Sequence, residues 1–166
     1  MKEEKILSDF IKSGELKGWY IREIPVGLKA IRFEIPIEMP IVTWTGEQLN
    51  LAWVEGVASK KIDAICVRGV QRPPTRIRVK DWYHLRRELE NKHVWILEVK
   101  RKLSYEAIGE VLCKKELFQE DNPQILIDGV GIVCKEDDFM LLRCCHKYNV
   151  KAVSYTHLTL PTTERV

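Results

Sequence analysis

The chain has 166 residues, 45% of them hydrophobic and 31% charged, which describes one globular domain with a sizeable core and excludes a disordered chain. Its apolar runs are strand-length, well short of the ~20 residues of a helical membrane span, so no membrane is expected as a partner. The net charge of +3 is too small by itself to require an anionic partner.

In chain order, the charged start from Met1 to Lys5 shows no secretory signal. Ile6, Leu7, Phe10 and Ile11 then recur at helical spacing and predict a helix from Glu3 to Ile11, stopped by Ser13-Gly14. From Trp19 to Trp53 the text turns β-branched and is broken by Pro25, Pro36 and Pro40, which predicts short strands and turns. Ile62 to Val67 reads as a buried strand. After Arg72-Pro73-Pro74, a short helix is predicted over Lys80 to Asn91, with Trp82, Leu85 and Leu89 inward. Val94 to Lys100 is the next strand. Ser104 caps a helix to about Phe118, where Leu103 and Ile108 occupy the two positions of a hydrophobic staple. Asp121-Asn122-Pro123 ends it. A strand from Ile125 to Cys134 contains Gly129 and Gly131, a helix spans Asp137 to Tyr148, and Val150 begins a last strand. The fold class expected is α/β, a central mixed sheet flanked by helices.

The chemistry concentrates in the fifth of these segments, Val94 to Lys100. Period-two geometry puts Ile96, Glu98 and Lys100 on one strand face and Trp95, Leu97 and Val99 on the other. The Glu98 carboxylate and the Lys100 amine thus stand side by side, roughly 7 Å apart at ~3.3 Å per residue. Asp63 adds an acid near the start of the earlier buried strand. Two carboxylates to hold a divalent cation, with a lysine to position or activate water, are what metal-assisted phosphodiester cleavage needs. Arg68, Arg72, Arg76, Arg78 and Lys80 cluster in one segment, and Lys100-Arg101-Lys102 in another, as either a nucleic-acid contact or a solvated basic face. The bland account of Lys100 is a structural ion pair with Glu98 or Asp63.

This arrangement resembles the PD-(D/E)xK, or restriction-endonuclease-like, nuclease superfamily, over about Ile62 to Val150. Asp63 matches its first acid, although Ile62 stands where some members have proline. Glu98-Val99-Lys100 matches its second motif, and Arg101 to Leu112 resembles the helix that follows in RecB-like and archaeal Holliday-junction-resolvase-like members. Those members often carry glutamine at the position of Glu110 and tyrosine at that of Lys114, and this chain departs at both. The resemblance implies a restriction-endonuclease-like sheet and a metal-dependent nuclease. Asp63, Glu98 and Lys100 would be catalytic, with Mg²⁺ or Mn²⁺ held by Asp63, Glu98 and the Val99 carbonyl. Arg72, Arg76, Arg101 and Lys102 would follow the nucleic-acid backbone, DNA being the first candidate. A homodimer is left open. The competing expectation is an inactive nuclease-like fold that binds nucleic acid or a protein. Some relatives add an acid from the first helix, a place Glu3 or Glu4 would fill.

Other residues attract duller readings. Glu110 either points to the same cluster or faces outward and pairs with Lys114 at i+4. His84, His93 and His146 lack metal-ligand spacing and read as surface or partly buried. Cys144-Cys145 reads as packing, and Gly129-Val130-Gly131 lacks the continuation of a dinucleotide motif. The five cysteines, odd in number and without a C-x-x-C, predict free buried thiols in a reducing, cytoplasmic setting. Finally, Val153 to Thr162 resembles the conceptual translation of a transposon-type sequencing adapter. On that reading the natural chain runs to about Ala152, residues 153–166 pack without a defined partner, and His157 carries no chemistry.

Overall fold

A computed structural model describes residues 2–27 and 60–154. They form helix α1 (Glu3–Ser13), strands β1 (Trp19–Val26), β2 (Lys60–Val67) and β3 (Thr75–Arg76), and helix α2 (Val79–Glu88). Strand β4 (His93–Lys102), helix α3 (Tyr105–Asp121), strand β5 (Leu126–Glu136), helix α4 (Phe139–Lys147) and strand β6 (Val150–Ser154) follow. The elements expected around Pro36 and Pro40, and residues 155–166 with His157, lie outside the described residues.

The six strands make one mixed sheet in the order β3-β1-β2-β4-β5-β6, so the α/β class expected from sequence is the class found. Strands β1, β2 and β4 run antiparallel to their neighbours in turn, while β4, β5 and β6 are parallel and joined by α3 and α4 as crossovers. Strand alternation feeds two cores. On one face Val94, Ile96, Ile65 and Ile132 pack against Trp82 of α2, Ala107, Val111 and Phe118 of α3, and Leu141 of α4. On the other, Leu97, Val99, Ala64 and Val133 pack against Ile6, Leu7 and Phe10 of α1. No helix among the described residues is long and apolar enough to cross a membrane.

Local chemistry sets the element ends. Gly14, at φ 73°, closes α1 in the left-handed conformation that glycine adopts without a Cβ penalty. The Ser104 hydroxyl accepts a 3.1 Å hydrogen bond from the Ala107 N–H, and Leu103 and Ile108 are buried together beside it. Asp138 caps α4 by accepting from Met140 and Leu141.

Three expectations need correction. Strand β6 continues through Ser154, two residues into the adapter-like text: Val153 pairs with Val133, and Ser154 is buried with its hydroxyl donating to the Lys135 carbonyl. The thiols are not all buried, because Cys113 and Cys144 are exposed on their helices. Cys145 rather than Cys144 faces the core, with Leu141 one turn earlier, and Phe139 and Met140 are exposed.

Gly129 has a packing reason. It lies opposite Trp95, and a Cβ added there would sit 2.6 Å from two atoms of the indole ring. Gly129→Ala is expected to push the ring off its strand and destabilise the fold by about 1–3 kcal/mol in a denaturant melt. The penalty should shrink in a Trp95→Leu background.

Candidate active site

The β2–β4 ladder ends at the pair Ala64–Leu97, so Asp63 and Glu98 occupy the next opposed positions, where the strands part. Asp63 also sits at a break in alternation. Ile62, Ile65 and Val67 all reach the same core, although strict period two would turn Ile62 to the other face. The break faces Glu23, which the β1–β2 register skips and whose φ of 62° is left-handed. Such irregularities re-aim a side chain at a strand end. Here the Asp63 Oδ2 accepts a 2.8 Å hydrogen bond from the Val99 N–H, taking the place of a lost strand partner. Since the N–H and C=O of a strand residue point to the same neighbour, the Val99 carbonyl faces the β2 side as well.

Glu98 stands on the α3 face beneath that helix and is 1% exposed. Its Oε1 accepts from the Lys114 ammonium at 2.9 Å, while its Oε2 is buried and has no hydrogen-bond partner among the described residues. Burial pushes the Glu98 carboxyl up to about 8; the adjacent Asp63 carboxylate adds to the rise through its charge and a shared hydrogen bond, and Lys114 opposes it. The Asp63–Glu98 bond exists only when one of the pair holds a proton, which is why Oε2 lacks a donor with both ionised.

Lys114 continues into a charged chain. Its ammonium also donates to Glu110 Oε1 at 2.7 Å, and Glu110 Oε2 meets the Lys100 ammonium at 2.8 Å. Burial alone would lower both lysines, but hydrogen bonds to Glu110, and to Glu98 in the case of Lys114, outweigh it and hold both above the ordinary value. Burial would raise Glu110, and the two ammonium groups outweigh that and lower it. The partner of Lys100 is therefore Glu110, not Glu98 or Asp63. Glu110 is not a simple outward acid either, because it bridges two lysines. The i+4 pairing of Glu110 with Lys114 expected from sequence is found, but sequence reasoning missed that Lys114 also reaches Glu98. The signal was its place on the buried stripe Ala107, Val111, Lys114 and Phe118, where a lysine must find an acid inside the fold.

Arg101 and Lys102 are exposed at the end of β4. The structure does not gather the other basic segment into one patch. Arg72 meets Glu88 and stacks 4.6 Å over the Trp19 ring, Arg76 meets Glu4 at 2.9 Å, Arg78 meets Asp81, and Arg68 meets Asp128 near the opposite end of β4. Glu3 and Glu4, at the start of α1, line the same cleft as Asp63. His84, His93 and His146 are all exposed, and His93 pairs with Asp128 at 2.6 Å.

Among the described residues no three His, Cys, Asp or Glu side chains form a ready metal cage. The donor set nevertheless suits a hard divalent cation. Two carboxylates and a carbonyl are oxygen ligands, and the orphaned Glu98 Oε2 is a buried acceptor in need of positive charge. No family model, curated protein or solved structure matches this chain.

Proposed function

We propose that this protein is a metal-dependent nuclease of the PD-(D/E)xK type that hydrolyses phosphodiester bonds, DNA being the favoured substrate. The observation that carries the reading is the pairing of Asp63 with a buried, half-satisfied Glu98 at the point where β2 and β4 part, with Lys100 on the same strand face as Glu98. Asp63, Glu98 and the Val99 carbonyl would hold Mg²⁺ or Mn²⁺, which when bound supplies the charge that polarises a phosphate and acidifies a water. The Val99 N–H fixes one oxygen of Asp63 and Lys114 fixes one oxygen of Glu98, which would leave the other oxygen of each for the cation. Lys100, held by Glu110, orients the attacking water or neutralises charge growing on the phosphate oxygens. Arg101 and Lys102 follow the backbone without reading sequence.

A second reading has its own support. The chain Glu98–Lys114–Glu110–Lys100 matches two acids with two lysines without a metal ion, as a silent scaffold that binds nucleic acid or a partner protein would. The two readings separate on metal. A panel of supercoiled, linear, flapped and four-way-junction DNA with Mg²⁺ should show cleavage that EDTA stops. Calorimetric titration with Mn²⁺ should show binding that Asp63→Ala removes. DNA binding indifferent to divalent metal, with no cleavage of any substrate, would leave the scaffold standing.

A further inference from the structure

We propose that Arg22 of β1 is a ligand for a substrate phosphate in the cleft beside Asp63; the inference rests on the nuclease reading and adds to it a residue from outside the stretch that carries the resemblance. Arg22 pairs with Ala64 across β1 and β2, one position from Asp63, and its side chain lines the cleft that Asp63 and Val99 also line. Three quarters of that side chain is buried. Its guanidinium is nonetheless poorly matched. Among the described residues the nearest acid, Glu4, lies 3.9 Å from Nη2, beyond hydrogen-bond reach, and gives its close contact at 2.9 Å to Arg76. The Arg22 Nε is buried and without an acceptor among the described residues.

A guanidinium offers five N–H donors in a planar fork, and leaving a buried one unmet is costly unless something that enters the site accepts from it. The groups already in the cleft do not serve. Asp63 makes no ion pair with Arg22, its Oδ2 accepting from the Val99 N–H instead, and Glu4 is drawn to Arg76 strongly enough that its carboxyl lies below the usual range, through Arg76 first and Arg22 second. Glu3 and Glu23 make the rest of the cleft acidic, which disfavours a free anion and favours one brought in on a divalent cation or along a polymer. A phosphate oxygen is the acceptor whose geometry the fork fits, alone or bidentately. Arg22 would therefore grip the backbone one step from the bond that Asp63 and Glu98 attend.

The test is binding rather than turnover. A fluorescein-labelled DNA duplex is titrated by anisotropy with Ca²⁺ in place of Mg²⁺, across a salt series, using the full chain. Each phosphate contact contributes about 0.9 to the slope of log affinity against log salt. Arg22→Gln should weaken binding several-fold and reduce the slope by about 0.9, while Arg22→Lys keeps the slope and loses affinity because it lacks the fork. Should Arg22→Gln fail to fold, Arg22→Lys decides: weaker binding at an unchanged slope supports the assignment, and wild-type affinity overturns it. A folded Arg22→Gln with the wild-type slope also overturns it, and marks Arg22 as a structural companion of Glu4. A wild-type protein that binds no DNA at all brings down the nuclease reading and this inference together, an outcome distinct from an unchanged slope in the variant alone.

Discussion

Above about pH 8, where Glu98 is ionised, Lys114→Met should destabilise the metal-free protein by about 3–5 kcal/mol, the cost of leaving a buried charge without its partner, and below it by less, because the carboxyl then holds a proton. At about 2–4 °C per kcal/mol for a chain of this size, the melting temperature should fall by roughly 6–20 °C. The reason is geometric. Lys114 and Glu98 are 9% and 1% exposed in their side chains, and the ammonium is the only donor that reaches Glu98 among the described residues. Methionine keeps the length and removes the charge, so packing along the stripe from Ala107 to Phe118 survives while the carboxylate is stranded. Glu98→Gln should recover much of the loss in the double variant, and the double-mutant cycle measures the coupling directly. If Lys114→Met melts like wild type, Glu98 is not held by Lys114 in solution, and the arrangement argued for the site fails with it.

The elements of the fold were legible in the sequence wherever periodicity was clean. The stripe of α1, the staple at Leu103 and Ile108, and the buried runs of β2 and β4 each follow from one-dimensional spacing. So did the neighbourhood of Asp63 and Glu98, since two buried strands carrying acids at their ends tend to share a sheet. What escaped was decided in three dimensions. Which lysine meets Glu98 depends on how α3 lies over β4: Lys100 is two residues away along the strand, yet Lys114, sixteen residues on, reaches it. Arg22 escaped because its significance rests on the unpaired positions Glu23 and Asp63 and on the first turn of α1, three segments that no local pattern connects. The end of β6 escaped for a different reason. Backbone pairing with β5 accepts any residue that can extend, so the change of composition after Ala152 left no mark on the strand.

Lys100→Ala should reduce cleavage by about 10²–10³-fold, the scale of losing one preorganised charge at a developing oxyanion. The same change should move stability by no more than about 1 kcal/mol, because the Lys100–Glu110 pair is roughly a third exposed on each side and screened by solvent. Glu98 does not lose its partner in this variant, since Lys114 stays in place. Glu110 likewise keeps its bond to Lys114. On the nuclease reading, activity and stability would divide between the two lysines, Lys114 holding Glu98 and Lys100, paired with Glu110, serving the substrate. Mn²⁺ titration should find the metal bound by Lys100→Ala much as by wild type, because no ligand has been removed. Plasmid nicking run beside denaturant melts gives the decision. A Lys100→Ala variant that nicks at the wild-type rate would remove the lysine from the chemistry and leave Glu98 and Asp63 without the third member that the nuclease reading requires.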